Sequence, residues 1–245
     1  MEGERLLNVE LHRIAAERNP VAVLRYEARR ARAVSIVAGH GYSSSKHNLD
    51  FLCGFLATHG FDVYSLDFPG HKLGASGGEL QGLDDCVDAM SAAIAFARER
   101  GDGPVYAMGH SMGAMTALFT AALDSRVAGA IAIATGYGRP TALTTIARSA
   151  GSDFRASYVD GVALPELVEG LNERYDAALS RLDGRPQLYV AAKHDAMVSE
   201  RSVRELYDRA PERKAFATID SDHTYAGDNA RGTVLQWLNE LHPRA

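Results

Sequence analysis

Ser111 stands in the pentapeptide Gly109-His110-Ser111-Met112-Gly113, between the apolar run VYAM and the helical run MGAMTALFTAAL. A strand, a sharp turn and a helix make a setting that lifts a serine hydroxyl out as a nucleophile. Glycines two positions either side let such a turn pass its neighbouring strands. The turn also puts Ser111 at a helix start, where free N–H groups and the helix dipole favour negative charge. A serine alcohol then needs a base to take its proton and a carboxylate to orient that base. Downstream, LYVAAKHD ends in Asp195 and FATIDSDHT contains His223, each after an apolar run. Upstream, His40-Gly41-Tyr42 follows another such run. The backbone N–H groups of Tyr42 and Met112 are the candidate pair of oxyanion donors, each worth about 10²- to 10³-fold in rate.

Rival assignments are weaker. Asp220 and Asp222 adjoin His223 in the chain and belong on its own loop rather than on the far side of the imidazole. His194 adjoins the candidate acid, and His242 lies in the C-terminal tail. His71 is expected to be a structural turn residue. Nine histidines raise the question of metal, but no H-E-x-x-H or comparable ligand cluster occurs, so no metal or cofactor is expected.

These residues need elements to hold them. Short apolar runs alternate with helical patterns, which reads as an α/β chain built on a mainly parallel sheet. Eight strands are expected at 6–13, 21–26, 33–38, 62–66, 105–109, 128–134, 187–192 and 215–219. The first two are separated by too few residues for a crossover and should pair antiparallel at an edge. Helices are expected at 45–59, 83–100, 112–123, 199–209 and 227–241. The interval from 136 to 185 exceeds an ordinary connection. Within it Leu164, Leu167, Val168, Leu171, Tyr175, Ala178, Leu179 and Leu182 follow a 3.6-residue period, predicting one amphipathic helix over the sheet edge. Tyr137, Tyr158 and Tyr175 are candidates for an aromatic lining there. The run Arg25, Arg29, Arg30 and Arg32 is expected to solvate the turn between early strands rather than bind a partner.

With these residues in order, the chain resembles the α/β-hydrolase superfamily from about residue 33 to the C-terminus, and within it the small serine esterases. The stretch HGYSSSKHNLDFLCGFLATHGFDVYSLDFPGH, then GASGG, then GHSMGA, is similar to monoacylglycerol-lipase-like and feruloyl-esterase-like hydrolases. The resemblance implies an α/β-hydrolase fold with a small helical cap after the sixth strand, at about 137–185. It implies Ser111, Asp195 and His223 as a catalytic triad, with Tyr42 and Met112 as the oxyanion donors. The implied activity is cleavage of small-molecule carboxylic esters through an acyl-enzyme. Thioester, amide or carbon–carbon hydrolysis, cofactor-free peroxidation, or ligand binding without turnover occur on similar scaffolds. One departure is visible. Relatives read D-x-x-G-H-G-x-S, whereas Asp67-Phe68-Pro69-Gly70-His71-Lys72-Leu73-Gly74-Ala75-Ser76 has two extra residues before its second glycine.

Composition closes off other classes. At 245 residues, 46% hydrophobic and 23% charged, the chain is neither disordered nor fibrous, and one domain over 1–245 accounts for it. Twenty-six Lys and Arg against 31 Asp and Glu give a net charge of −5, which argues against nucleic acid as a partner. The longest apolar run, around 128–134, is about half of a membrane span. The N-terminus MEGERLLNVELHRIAAER lacks a basic n-region, so a cytoplasmic location is expected. Cys53 and Cys86 are too few for a disulfide framework and are expected as core thiols.

Overall fold

A computed structural model describes residues 7–28, 30–138 and 154–244, and in them the apolar runs become strands. They are β1 (Asn8–Ile14), β2 (Val21–Glu27), β3 (Ser35–Gly39), β4 (Asp62–Leu66), β5 (Val105–His110), β6 (Val127–Ile133), β7 (Gln187–Ala192) and β8 (Lys214–Ile219). All join one sheet in the order β1-β2-β4-β3-β5-β6-β7-β8. β2 runs antiparallel to both its neighbours, β1 and β4, and every other pairing is parallel. Strands β3, β5 and β7 are buried along their whole length, as a sheet covered on both faces requires.

The covering helices are α1 (Asp50–Thr58), α2 (Leu83–Arg98), α3 (Met112–Leu123), α4 (Leu164–Leu167), α5 (Leu171–Leu179), α6 (Glu200–Arg209), α7 (Ala226–Asn229) and α8 (Arg231–Leu241). Because strand side chains alternate, Ile36, Ala38, Leu188 and Val190 face α1, α7 and α8, where Leu52, Leu56, Val234 and Trp237 meet them. Val37, Tyr189 and Ala191 face the opposite layer with Met90, Leu118 and Val203, from α2, α3 and α6. Cys53 and Cys86 are both buried, one in each layer.

Several expectations shift. The helix expected over 45–59 begins as a 3-10 turn at Lys46–Leu49 before α1. The one expected over 227–241 is divided into α7 and α8 around Ala230. The single amphipathic helix expected over 164–182 is α4 and α5, interrupted at Gly170, whose φ of +65° is left-handed. Its apolar face is buried as the period predicts, but α5 packs on α3 rather than over the sheet edge. The Phe119 and Tyr175 rings lie 5.4 Å apart. Arg25 is inside β2, paired with Glu10 and Glu27, instead of solvating a turn. Arg29 and residues 139–153 of the expected cap lie outside the described residues. Among the described residues no helix is long and apolar enough to cross a membrane.

Candidate active site

Strand β5 delivers Ser111 into the turn before α3 with φ +54° and ψ −114°, a conformation that side-chain-bearing residues rarely adopt. The turn is held by its own backbone, with Ser111 N–H donating to Ile133 O at 2.8 Å and Ala114 N–H donating to Ser111 O at 3.0 Å. Packing explains the glycines. A Cβ on Gly109 would lie 2.1 Å from the Gly113 carbonyl carbon, and one on Gly113 would lie 2.0 Å from Gly39 O.

Asp195 follows β7 and His223 follows β8, so both reach the same end of the sheet as Ser111. Asp195 Oδ1 accepts from the Met197 and Val198 amides at 2.8 and 2.7 Å, which aims Oδ2 at His223 Nδ1, 2.7 Å away. The Asp195 side chain is 0% exposed and that of His223 is 13% exposed. A carboxylate can only accept, so Nδ1 carries the imidazole proton and Nε2 presents its lone pair to Ser111 Oγ, at 3.1 Å. The fold thus brings together three groups that the chain separates by up to 112 positions.

The loop after β3 passes over this line. A Cβ on Gly41 would sit 3.5 Å from Ser111 Cβ. The Tyr42 and Met112 amides donate to no backbone or side-chain acceptor among the described residues, and Met112 opens α3, where an N–H has no partner within the helix. His40 fixes the loop from beneath. Its Nε2 accepts from the Phe68 amide at 3.0 Å and its Nδ1 donates to Gly41 O at 2.7 Å. Burial, then the neighbouring His71, push the His40 imidazole down to about 3, so it is neutral.

Two contributors escaped the sequence reading. Lys46 and Asp67 form a buried ion pair at 2.6 Å, with side chains 5% and 0% exposed. Asp67 also accepts from the Lys46 amide at 2.8 Å and the Ala75 amide at 2.7 Å, tying the loop after β3 to the loop after β4. Burial alone would raise the Asp67 carboxyl. The Lys46 ammonium and these two amides outweigh it and hold the group below its usual range. His110 is the second, its Nε2 lying 2.8 Å from the His223 carbonyl. No local pattern marks either, because both act through residues far along the chain.

The rivals are placed elsewhere. Asp222 accepts from the Tyr225 amide within the His223 loop, and Asp220 pairs with exposed His194 at 2.8 Å. His242 bonds Tyr106 Oη at 2.8 Å near the opposite end of β5. His71 is buried with Nδ1 2.9 Å from Pro69 O, and its ring lies edge-on to His40. Its neighbour Lys72, in the enlarged turn, donates through its amide to Tyr158 O at 2.9 Å, so the added residues engage the segment expected as a cap. The three tyrosines expected to line a cap are accounted for by packing or hydrogen bonds within the protein. Tyr175 is fully buried with its hydroxyl 2.6 Å from Thr135 Oγ1, Tyr137 donates to Asp176, and Tyr158 packs on Phe154.

A family model described as the alpha/beta hydrolase family matches residues 36–242. The chain belongs to this family. No curated protein matches it. Among solved structures, the Pyrococcus furiosus esterase Pf2001 is similar at a TM-score of 0.74 and 18% identity, over 96% of this chain and 93% of that one. A cold-adapted esterase from an Arctic intertidal metagenomic library is similar at 0.70 and 17%, over 98% and 96%. The thioesterase domain from the curacin biosynthetic pathway is similar at 0.68 and 14%, over 95% and 99%. At these identities the likeness is one of fold, and it extends the sheet and its flanking helices to nearly the whole of each chain.

Proposed function

We propose that the protein is a serine hydrolase that cleaves small carboxylic esters, with Ser111 as nucleophile, His223 as general base and acid, and Asp195 orienting the imidazole. The continuous line from Asp195 Oδ2 through His223 to Ser111 Oγ, with links of 2.7 and 3.1 Å, is the observation that carries this reading. His223 Nε2 takes the Ser111 proton as Oγ attacks the ester carbonyl, and Asp195 stabilises the imidazolium that forms. The Tyr42 and Met112 amides receive the tetrahedral oxyanion. Its collapse expels the alcohol, protonated by His223, and leaves an acyl-Ser111. Water, deprotonated by the same imidazole, attacks the acyl group, and collapse of the second oxyanion returns the carboxylic acid and free Ser111.

The fold shared with a thioesterase domain makes a thioester the second acyl donor to assay. Turnover of p-nitrophenyl butyrate by the full chain, its loss in Ser111→Ala, and labelling of Ser111 by a fluorophosphonate are the expected results. Equal turnover by the wild type and Ser111→Ala overturns the proposal.

A further inference from the structure

His110 occupies the position between Gly109 and the proposed nucleophile Ser111, and its buried ring joins loops of the site. On one side, Nε2 lies 2.8 Å from the His223 carbonyl oxygen, and the two imidazole rings stand 4.9 Å apart at 50°. On the other, the loop after β3 presses on it so closely that a Cβ at Gly41 would sit 3.3 Å from His110 Nδ1. Its own backbone ends β5 and enters the Ser111 turn.

A carbonyl only accepts, so the Nε2 of His110 carries the proton. The group keeps this form because burial, then the adjacent His223, push its imidazole down to about 3. Among the described residues no other donor reaches the His223 carbonyl. The remaining ties of that loop lie to either side of His223. His194 N–H donates to Ser221 O at 2.9 Å, Asn229 Nδ2 donates to Ser221 Oγ at 3.0 Å, and Tyr225 N–H donates to Asp222 Oδ1 at 3.0 Å. The main chain at His223 itself is therefore held by His110.

We propose that His110 is a positioning residue: its Nε2–H clamps the His223 backbone and thereby sets the distance and angle between His223 Nε2 and Ser111 Oγ. This rests on the reading of His223 as the base of a serine hydrolase. An imidazole displaced by about 1 Å loses its alignment with the hydroxyl, a change worth about 10²-fold in rate. The clamp acts on the proton transfer by His223, so the loss is expected in kcat with KM left in place.

Two amide variants separate the hydrogen bond from the space it fills. In His110→Gln the terminal amide stands where Nε2 stood and can donate to the His223 carbonyl, whereas in His110→Asn it is one methylene short. With p-nitrophenyl butyrate, His110→Asn is expected to lose about 10²-fold in kcat at constant KM, and His110→Gln to stay within a few-fold of wild type. The downfield proton resonance of His223 Nδ1–H, assigned by its loss in His223→Ala, should move and broaden in His110→Asn and hold its place in His110→Gln. Equal kcat and an unchanged resonance in both variants overturn the inference. Should His110→Asn not fold, His110→Phe keeps the ring volume without the donor, and wild-type turnover by that variant overturns it equally. If the wild type hydrolyses no ester, the functional reading fails, and the resonance alone decides whether His110 holds His223.

Discussion

Removing the ammonium of Lys46 leaves Asp67 as a carboxylate with no exposed surface and two remaining backbone donors. At 2.6 Å the gross attraction within the pair is about 6 kcal/mol for an effective dielectric near 20. Desolvating each ion costs several kcal/mol, so the pair as a whole contributes little, but deleting one partner strands the other and costs about 3–5 kcal/mol. Lys46→Met is therefore expected to lose about 3–5 kcal/mol at pH 7, or roughly 6–20 °C in Tm for a chain of this size. Urea unfolding followed by fluorescence of Trp237, the one tryptophan and a buried one, reads the loss. Lys46→Met with Asp67→Asn should lose less than the sum of the single variants. The sign of the pH dependence is a second check. Without Lys46, burial raises the Asp67 carboxyl, the folded state binds a proton that the unfolded state does not, and the deficit narrows as pH falls from 7 toward 5. A Lys46→Met loss below about 1 kcal/mol, as for a surface pair, or a deficit independent of pH, refutes the reasoning.

Asp195→Asn is expected to cut kcat by about 10⁴-fold by favouring the wrong imidazole tautomer, while Asp222→Asn, whose side chain caps its own loop, leaves turnover of the same nitrophenyl ester intact. His40 and His110 both titrate near 3 when folded, against about 6.5 unfolded. The unfolded chain therefore binds the extra protons in between, and stability is full above that range and falls as pH drops through it, by up to about 1.4 kcal/mol per pH unit for each. Urea midpoints that do not change between pH 7 and 5 would contradict this. The lowered Asp67 carboxyl adds its own loss only below about pH 4, since a depressed acid stabilises above its unfolded value. Gly113→Ala forces a Cβ to 2.0 Å from a backbone oxygen that cannot yield, so circular dichroism should show little folded protein at 25 °C.

The groups proposed to react are legible in the sequence because each is announced by its immediate neighbours. Gly109 and Gly113 flag Ser111, Asp195 follows the apolar run of β7, which is buried along its whole length, and His223 follows the shorter apolar run of β8, a half-buried edge strand. The strands at 62–66 and 187–192 and the helix at 112–123 have the expected ends for the same reason. Helix 164–182 was misjudged because its apolar period continues across Gly170, and a period says which face is buried without saying whether the backbone stays helical.

Lys46 and His110 were illegible for a different reason. A lysine in SSSKHN reads as solvated, and only the carboxylate 21 positions away, brought alongside by β4, makes it a buried ion. The residue between Gly109 and Ser111 reads as a spacer, and only the return of the chain 113 positions later makes it a donor. Both attach loops, not strands. The strand ends are fixed by the sheet, but the loops after β3, β4 and β8 are held to one another by a few buried polar contacts rather than by a ladder. Such contacts are costly to leave unmade, and each half is worth keeping only while the other is present. It follows that Lys46 and His110 should affect different halves of the proposed chemistry. Lys46 acts on the loop bearing the Tyr42 amide, and His110 on the imidazole that moves the proton. Because the loop bearing Tyr42 also packs on His110 at Gly41, their effects on kcat should couple rather than simply multiply when combined.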